Sequence, residues 1–215
     1  MKKLVHITAT IALIVLIYFG TGFANATKRG TTSSYNREEV ADKFHKNLSA
    51  KRAQRFIDSL KPWLEENDYS TSLLFVADMG LNMNIKRFYA VNPDSQRLIK
   101  SFLVSHGSGG GSTIDNAVFS NVVGSNCTSA GKYRIGDSYH GNFGKSYRLH
   151  GLDGSNNNAL KRAVVLHAYR DQTSQEYGSP NYFSAGCPML SKSNFNWADS
   201  IIQAQDKPVI LVIYK

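Results

Sequence analysis

The chain has 215 residues, with 25 Lys and Arg against 16 Asp and Glu, and a formal net charge of +9. This length is enough for one ordinary domain with a sizeable core and a small appendage. No cysteine precedes Cys127, which excludes lipid attachment at a processed N-terminal cysteine.

Residues 1–26 have the three parts of a secretory signal peptide. Lys2-Lys3 is the positive start, Leu4 to Phe19 is almost wholly apolar, and Ala24-Asn25-Ala26 is an A-x-A cleavage pattern. We therefore expect cleavage after Ala26 and a periplasmic or other extracytoplasmic location. The alternative is a retained membrane anchor, because no Lys, Arg, Asp or Glu lies between Lys3 and Lys28 and this uncharged stretch could just span a bilayer. Outside the cytoplasm, the positive charge favours the anionic cell wall as a partner over nucleic acid.

Residues 27–68 are predicted to form a linker followed by a helical segment. Residues 27–37 are polar and rich in Ser and Thr, which is typical of a linker or a frayed start. From about Glu38, apolar residues recur at helical spacing and predict an amphipathic segment that packs on the main domain. This apolar stripe consists of Val40, Phe44, Leu48, Phe56, Ile57, Leu60 and Leu64.

Residues 69–215 are predicted to form one mainly β domain. Short apolar runs alternate with Gly, Pro and Asn turn signals, and few segments have helical periodicity. One late helix is predicted from Ser193 to Gln205. The predicted strands are Leu73–Ala77, Arg87–Val91, Leu98–Val104, Tyr133–Ile135, Tyr147–His150, Ala163–Tyr169 and Val209–Tyr214.

The strongest local signal for chemistry is the run Ser184-Ala185-Gly186-Cys187-Pro188. Gly186 permits a tight turn and the close approach of a substrate carbonyl, so the sulfur of Cys187 is expected to be exposed. Successive backbone N–H groups in such a turn can converge on an oxyanion. A thiol with an ordinary pKa of about 8.5 also needs a neighbouring base near neutral pH.

His167 is the best candidate for that base. Side chains alternate along a strand, so Val164 and Leu166 are expected to face one side and Val165 and His167 the other. Cys187 follows His167 by twenty positions, which is enough for a loop that brings the chain back. We therefore expect the imidazole and the thiol to meet.

His167, followed along the chain by Ser184-Ala185-Gly186-Cys187, resembles the catalytic motif of L,D-transpeptidases of the YkuD type. In that motif a histidine and a variable loop precede S-x-G-C. Further segments resemble the branch described as murein L,D-transpeptidase catalytic-domain proteins, and the likeness runs from about Tyr69 to Tyr214. These segments are Phe75–Asp78, Phe102–Gly111, Phe119–Asn121, Gly131–Gly136 and Tyr147–Leu152.

The resemblance implies a β-sandwich or barrel that carries out cysteine-dependent acyl transfer on peptidoglycan stem peptides, without a metal or an organic cofactor. It makes Cys187 the nucleophile and His167 the general base, oriented by the carbonyl of Ala168. The N–H groups of Ala185, Gly186 and Cys187 would form the oxyanion hole. A stem amine as acceptor gives an L,D-transpeptidase, whereas water gives an L,D-carboxypeptidase.

Two positions depart from the family pattern. Many members have a histidine where this chain has Ala185, and Arg or Asn where it has Met189. Contacts to the substrate are therefore expected from other side chains near strand ends. The substrate-binding candidates are Ser184, His106, Arg148 and His150.

Two other functions remain open from the sequence. One is a cysteine amidase or endopeptidase of the cell wall, although such enzymes usually place the cysteine before the histidine. The other is a secreted, non-catalytic wall-binding β-domain. In that case a Cys127–Cys187 disulfide, favoured by an oxidising compartment, would act as a structural staple.

Overall fold

The computed structural model describes residue 51 and residues 54–169, 171–178 and 181–215, which belong to one compact unit, Lys46–Lys215. The predicted signal peptide, the linker and the first part of the apolar stripe (Val40, Phe44 and Leu48) lie outside the described residues. Within the described residues, no helix combines the length and the apolar character needed to cross a bilayer.

The described residues form a single eight-stranded sheet, which confirms the prediction of a mainly β fold. The strand order is β3-β2-β1-β8-β4-β5-β6-β7, with β1–β8 and β6–β7 parallel and the other pairs antiparallel. The strands are β1 (Leu74–Asp78), β2 (Phe88–Asn92), β3 (Arg97–Phe102), β4 (Gly131–Gly141), β5 (Gly144–Gly151), β6 (Val165–Tyr169), β7 (Met189–Ser191) and β8 (Ile210–Tyr214).

Two α-helices accompany the sheet in the part of the chain that the structure describes. Residues 54–66 are helical (α1), and the late helix α2 spans Lys192–Gln203, within two residues of its predicted bounds. Ser191 caps α2, because its side chain accepts the N–H of Asn194. Sequence patterns missed β7, whose three residues are too few to show a period.

Both faces of the sheet are covered by apolar side chains. Ile57 and Leu64 of α1 pack against one face, which includes Val76 and Val212. The larger core lies on the other face and includes Phe195 of α2. Because alternate residues of a strand enter opposite cores, β1 is buried along its whole length.

The β6–β7 pair determines where the candidate catalytic residues lie. Val164 and Leu166 belong to the larger core, whereas Val165 and His167 do not, as the predicted alternation requires. His167 lies opposite Met189 in the parallel β6–β7 register. Cys187, two residues before Met189, is thereby placed beside Val165. The predicted return of the chain toward His167 is confirmed.

Candidate active site

The side chain of Ser184 closes the turn that carries Cys187. Its hydroxyl accepts the N–H of Gly186 at 3.0 Å and donates to the carbonyl of Cys187 at 2.6 Å. Gly186 has φ +118°, a conformation that residues with a side chain rarely adopt. A Cβ at this position would also lie 2.7 Å from the carbonyl oxygen of Cys127. Glycine is therefore required here both for its backbone conformation and for its small size.

The same hydrogen bonds change the predicted oxyanion hole. We expected the N–H groups of Ala185, Gly186 and Cys187 to converge on one oxyanion. The N–H of Gly186 is instead used within the turn, because it donates to the hydroxyl of Ser184. The N–H groups of Ala185 and Cys187 remain as candidates for this role. Ser184, predicted to contact substrate, shapes the turn and also lines the cavity beside it.

The sulfur of Cys187 is half-buried beside the start of β6. The N–H of Val165 lies 3.4 Å from it, and the carbonyl oxygen of Ala163 lies 3.8 Å away. Burial raises the pKa of the Cys187 thiol above its ordinary value, whereas the Val165 N–H and the positive charge of Arg162 lower it. The resting group is therefore a protonated thiol that needs a base.

Both cysteines of the chain are free, so the Cys127–Cys187 staple is not formed. Cys127 is buried, and its thiol donates to the carbonyl of Ser125 at 3.5 Å. The wall-binding alternative therefore lacks the disulfide on which it was based.

His167 is 2% exposed, and its Nδ1 lies 2.9 Å from the carbonyl oxygen of Ala168. A carbonyl oxygen only accepts hydrogen bonds, so Nδ1 carries the proton and Nε2 of the neutral ring is left with a lone pair. Burial lowers the pKa of His167, while the hydrogen bond to Ala168 opposes that shift. The ring is thus a neutral imidazole whose outer nitrogen can accept a proton.

One cavity of about 230 Å³ brings the two candidate catalytic side chains together. It opens beside the turn that carries Cys187 and has largely aromatic walls. The ring of Phe143, from the turn between β4 and β5, stacks on His167 with the centroids 4.3 Å apart. The lining residues are Phe143, His167, Tyr169, Tyr182, Phe183, Ser184, Ala185, Cys187 and Met189.

Sequence reasoning missed these aromatic walls. Phe143, Tyr182 and Phe183 come from loops that are distant along the chain from His167 or lie outside any periodic pattern. One signal for Phe143 was available, since a large apolar residue stands beside Gly144 in a hairpin turn, where polar residues are usual. Phe143 remains 52% exposed although its ring covers the imidazole of His167.

The expectation that His106 faces the substrate is wrong. His106 is fully buried, and its Nδ1 accepts a hydrogen bond from Nη2 of Arg87 at 2.7 Å. Burial and the positive charge of Arg87 lower the pKa of His106 to about 4, so the ring is neutral. The ring supports the cavity wall from behind, through an edge contact with Phe183 at a centroid distance of 5.3 Å.

Arg148 and His150 lie on β5, close to the site but outside the residues that line the 230 Å³ cavity. Arg148 is opposite Val165 in the β5–β6 register and stacks on Tyr139 at 4.2 Å. His150 is opposite Arg134 on β4. Partial burial, Arg134 and Arg148 together lower the pKa of His150, which Asp137 opposes. A role in substrate binding stays a prediction for both. Among the described residues, no cluster of three or more His, Cys, Asp or Glu side chains suits a metal ion.

Comparisons with known proteins identify the family of this chain. The family model for the L,D-transpeptidase catalytic domain matches residues 45–214 of this sequence. No curated protein matches the sequence significantly.

Three solved structures illustrate the likeness. They are an L,D-transpeptidase from Mycobacterium smegmatis (14% identity, TM-score 0.41, 67% of this chain and 59% of that one), the helical cell shape determining protein Pgp2 from Campylobacter jejuni (15%, 0.45, 71% and 54%), and an L,D-transpeptidase from Stackebrandtia nassauensis (12%, 0.39, 69% and 58%). The chain therefore spans less than two thirds of the length of each. The family model covers most of the chain, and the chain belongs to the L,D-transpeptidase catalytic-domain family.

Proposed function

We propose that this chain is an exported cysteine L,D-transpeptidase that acts on peptidoglycan stem peptides. Cys187 is the nucleophile and His167 is the general base. One observation carries the proposal: the thiol and the imidazole line the same cavity, and the bond from Nδ1 to Ala168 leaves Nε2 free to accept a proton. Family membership supports the reaction class, and the signal-like residues 1–26 support export.

In the first half-reaction, the sulfur of Cys187 attacks the carbonyl of the diamino acid that precedes the terminal D-alanine. Nε2 of His167 takes the thiol proton as the carbon–sulfur bond forms. The N–H groups of Ala185 and Cys187 stabilise the oxyanion. The carbon–nitrogen bond then breaks, D-alanine leaves with the proton from His167, and a thioester remains.

In the second half-reaction, an amine of a neighbouring stem attacks the thioester. His167 takes a proton from the amine, a new amide bond forms, and the thiolate leaves and recovers the proton from His167. Water in place of the amine gives a shortened stem, which is the carboxypeptidase outcome. The aromatic walls of the cavity favour the amine, because they limit the access of water to the thioester.

Arg148 and His150 are proposed to contact carboxylates of the stem peptide. Arg148 is exposed, and it lies one strand from Val165, whose N–H contacts the sulfur of Cys187. The positive charge of Arg148, one strand away from Val165, suits a substrate that carries free carboxylates near the bond that is broken. This assignment concerns the orientation of the substrate and leaves the chemistry to Cys187 and His167.

Replacing Phe143 by alanine is expected to move the acid limb of the pH–activity profile to higher pH. Activity needs neutral His167, so it is present above the pKa of His167 and is lost as the pH falls through it. Burial holds this pKa below the ordinary 6.5. Removing the stacked ring lets water reach the imidazole, and the pKa then rises toward that value. The measurement is kcat/KM for D-alanine release between pH 4 and pH 8.

Phe143→Leu is the matched control, because a leucine keeps apolar cover over the ring. It should retain most of the wild-type acid limb. An acid limb that is the same in the Phe143→Ala variant and in the wild type would show that this ring does not set the pKa of His167.

The test of the proposed function is mass spectrometry of disaccharide-tetrapeptide muropeptides incubated with the purified chain. A transpeptidase releases D-alanine and produces a cross-linked dimer joined through the diamino-acid carbonyl. Loss of D-alanine with a tripeptide product only indicates the carboxypeptidase. Cleavage between sugar and peptide, or no reaction at all, contradicts the proposal. Cleavage between sugar and peptide would instead support the amidase alternative.

A further inference from the structure

Arg162, which precedes β6, holds residues 120–129, the segment next to the turn that carries Cys187. Its Nη1 donates to the carbonyl of Ser120 at 2.9 Å and to the hydroxyl of Ser129 at 3.0 Å. Its Nη2 donates to the carbonyl of Cys127 and, at 3.5 Å, to the hydroxyl of Ser125. Four hydrogen bonds thus fix one half-buried guanidinium, and every acceptor is a neutral oxygen.

No carboxylate within the described ranges forms an ion pair with Arg162. A half-buried positive charge that is bonded to neutral dipoles is oriented without being neutralised. Because solvent screening is weaker at such a site than at the open surface, the charge acts on groups several ångströms away. The arrangement leaves the positive potential available to a neighbouring group that becomes negative.

The group that this charge faces is the turn that carries the nucleophile. Nη2 of Arg162 lies 3.1 Å from the position that a Cβ of Gly186 would occupy. The segment held by Arg162 also supports the turn, because Thr128 donates its hydroxyl proton to the carbonyl of Gly186 at 3.1 Å. Gly186 directly precedes Cys187, so the guanidinium lies against the turn one residue before the one that carries the sulfur.

We propose that Arg162 is a positioning residue of this site: it fixes the 120–129 segment against Gly186, and its charge stabilises the sulfur of Cys187 as the thiol gives up its proton. At rest the buried His167 is neutral, so the imidazole contributes no positive charge until it has accepted that proton. Arg162 is charged throughout, and its charge opposes the effect of burial on the Cys187 thiol. The role in catalysis rests on the proposed function, whereas the effect on the thiol does not.

The test is the pH dependence of Cys187 alkylation by iodoacetamide in the full-length protein, followed by mass spectrometry of the peptide that contains Cys187. In Arg162→Gln we expect the midpoint of alkylation to move to higher pH by about 0.5–1 unit, with alkylation near pH 7 slowed about three- to tenfold. In Arg162→Lys, which keeps the charge, the midpoint should stay near that of the wild type.

Lys161→Gln is the matched control, because it removes the same charge from the neighbouring, exposed position. It should leave the midpoint unchanged. A wild-type midpoint in Arg162→Gln, or an equal shift in Lys161→Gln, overturns the proposal. If Arg162→Gln unfolds below the assay temperature, Arg162→Lys decides. If the alkylation midpoint of Arg162→Lys lies a full pH unit above that of the wild type although the charge is retained, the electrostatic role of Arg162 is refuted.

Turnover separates this inference from the proposed function. If the proposed function and the role of Arg162 are both correct, Arg162→Lys releases D-alanine more slowly than the wild type although its alkylation midpoint is preserved. The reason is that a lysine cannot make four hydrogen bonds to the 120–129 segment. If the wild type releases no D-alanine but Arg162→Gln shifts the alkylation profile, the proposed function fails and the role of Arg162 stands. If the wild type releases D-alanine but the profile of Arg162→Gln is unshifted, the proposed function stands and the role of Arg162 fails.

Discussion

Replacing Cys187 by alanine is expected to lower kcat/KM for D-alanine release by at least about a thousandfold, because the loss of a nucleophile removes the covalent route altogether. Cys187 carries the only thiol among the residues that line the cavity. The oxyanion donors and the bound stem would remain, but without a thioester no cross-linked dimer can form. The measurement is a time course of D-alanine and of dimer, with the disaccharide-tetrapeptide muropeptide as substrate.

Cys127→Ala is the matched control for this variant. The Cys127 thiol is buried and donates to the carbonyl of Ser125, so its loss affects local packing and leaves the reacting atoms in place. We expect this variant to retain activity within about one order of magnitude and to lose some stability in a thermal melt. Wild-type release of D-alanine by folded Cys187→Ala would end the assignment of Cys187 as the nucleophile.

The second large effect is expected at His167. His167→Gln should lower kcat by about a hundred- to ten-thousandfold, the contribution usual for a positioned general base. A glutamine is similar in size and can still bond to the carbonyl of Ala168, but it cannot take a proton at neutral pH. The acid limb of the pH profile should disappear together with most of the rate, because that limb reports the protonation of the imidazole.

His140→Gln serves as the control for this substitution, since His140 is an exposed histidine of β4. It should leave both the rate and the acid limb unchanged. Iodoacetamide alkylation at high pH, where the thiol ionises without help, should proceed in His167→Gln and would show that the turn has kept its shape. A His167→Gln protein with the wild-type rate and pH profile is incompatible with a base at this position.

The sequence predicted a strand at every position of the sheet except the short β7. It placed only Tyr133–Ile135 in β4, which runs over Gly131–Gly141, because the second half of that strand is largely exposed and has no apolar run. The side of the strand on which His167 lies followed from alternation alone, and the pairing with Cys187 followed from the motif. The error at His106 has a physical cause. A histidine at a strand end beside a glycine-rich loop is expected to be exposed. Arg87 is buried beside His106, however, and its guanidinium needs acceptors for its hydrogen bonds, one of which is Nδ1 of His106.

The details of the turn were beyond pattern reasoning for a different reason. A serine three residues before Cys187 has several hydrogen-bonding options, and only the folded backbone decides among them. The structure uses the hydroxyl of Ser184 to accept the N–H of Gly186. The stacking of Phe143 on His167 and the contacts of Arg162 likewise join segments that are far apart in sequence.

The parallel β6–β7 pair has an evolutionary consequence. His167 lies opposite Met189 in this ladder, so the pairing brings the two ends of the connection between β6 and β7 together, while the hydroxyl of Ser184 holds the turn just before β7. This connection includes Tyr182 and Phe183, which line the cavity, so substitutions at these two positions would change the shape of the cavity without changing the β6–β7 pairing. Homologues that prefer different donors should differ most in this connection and least in the two short strands on either side of it.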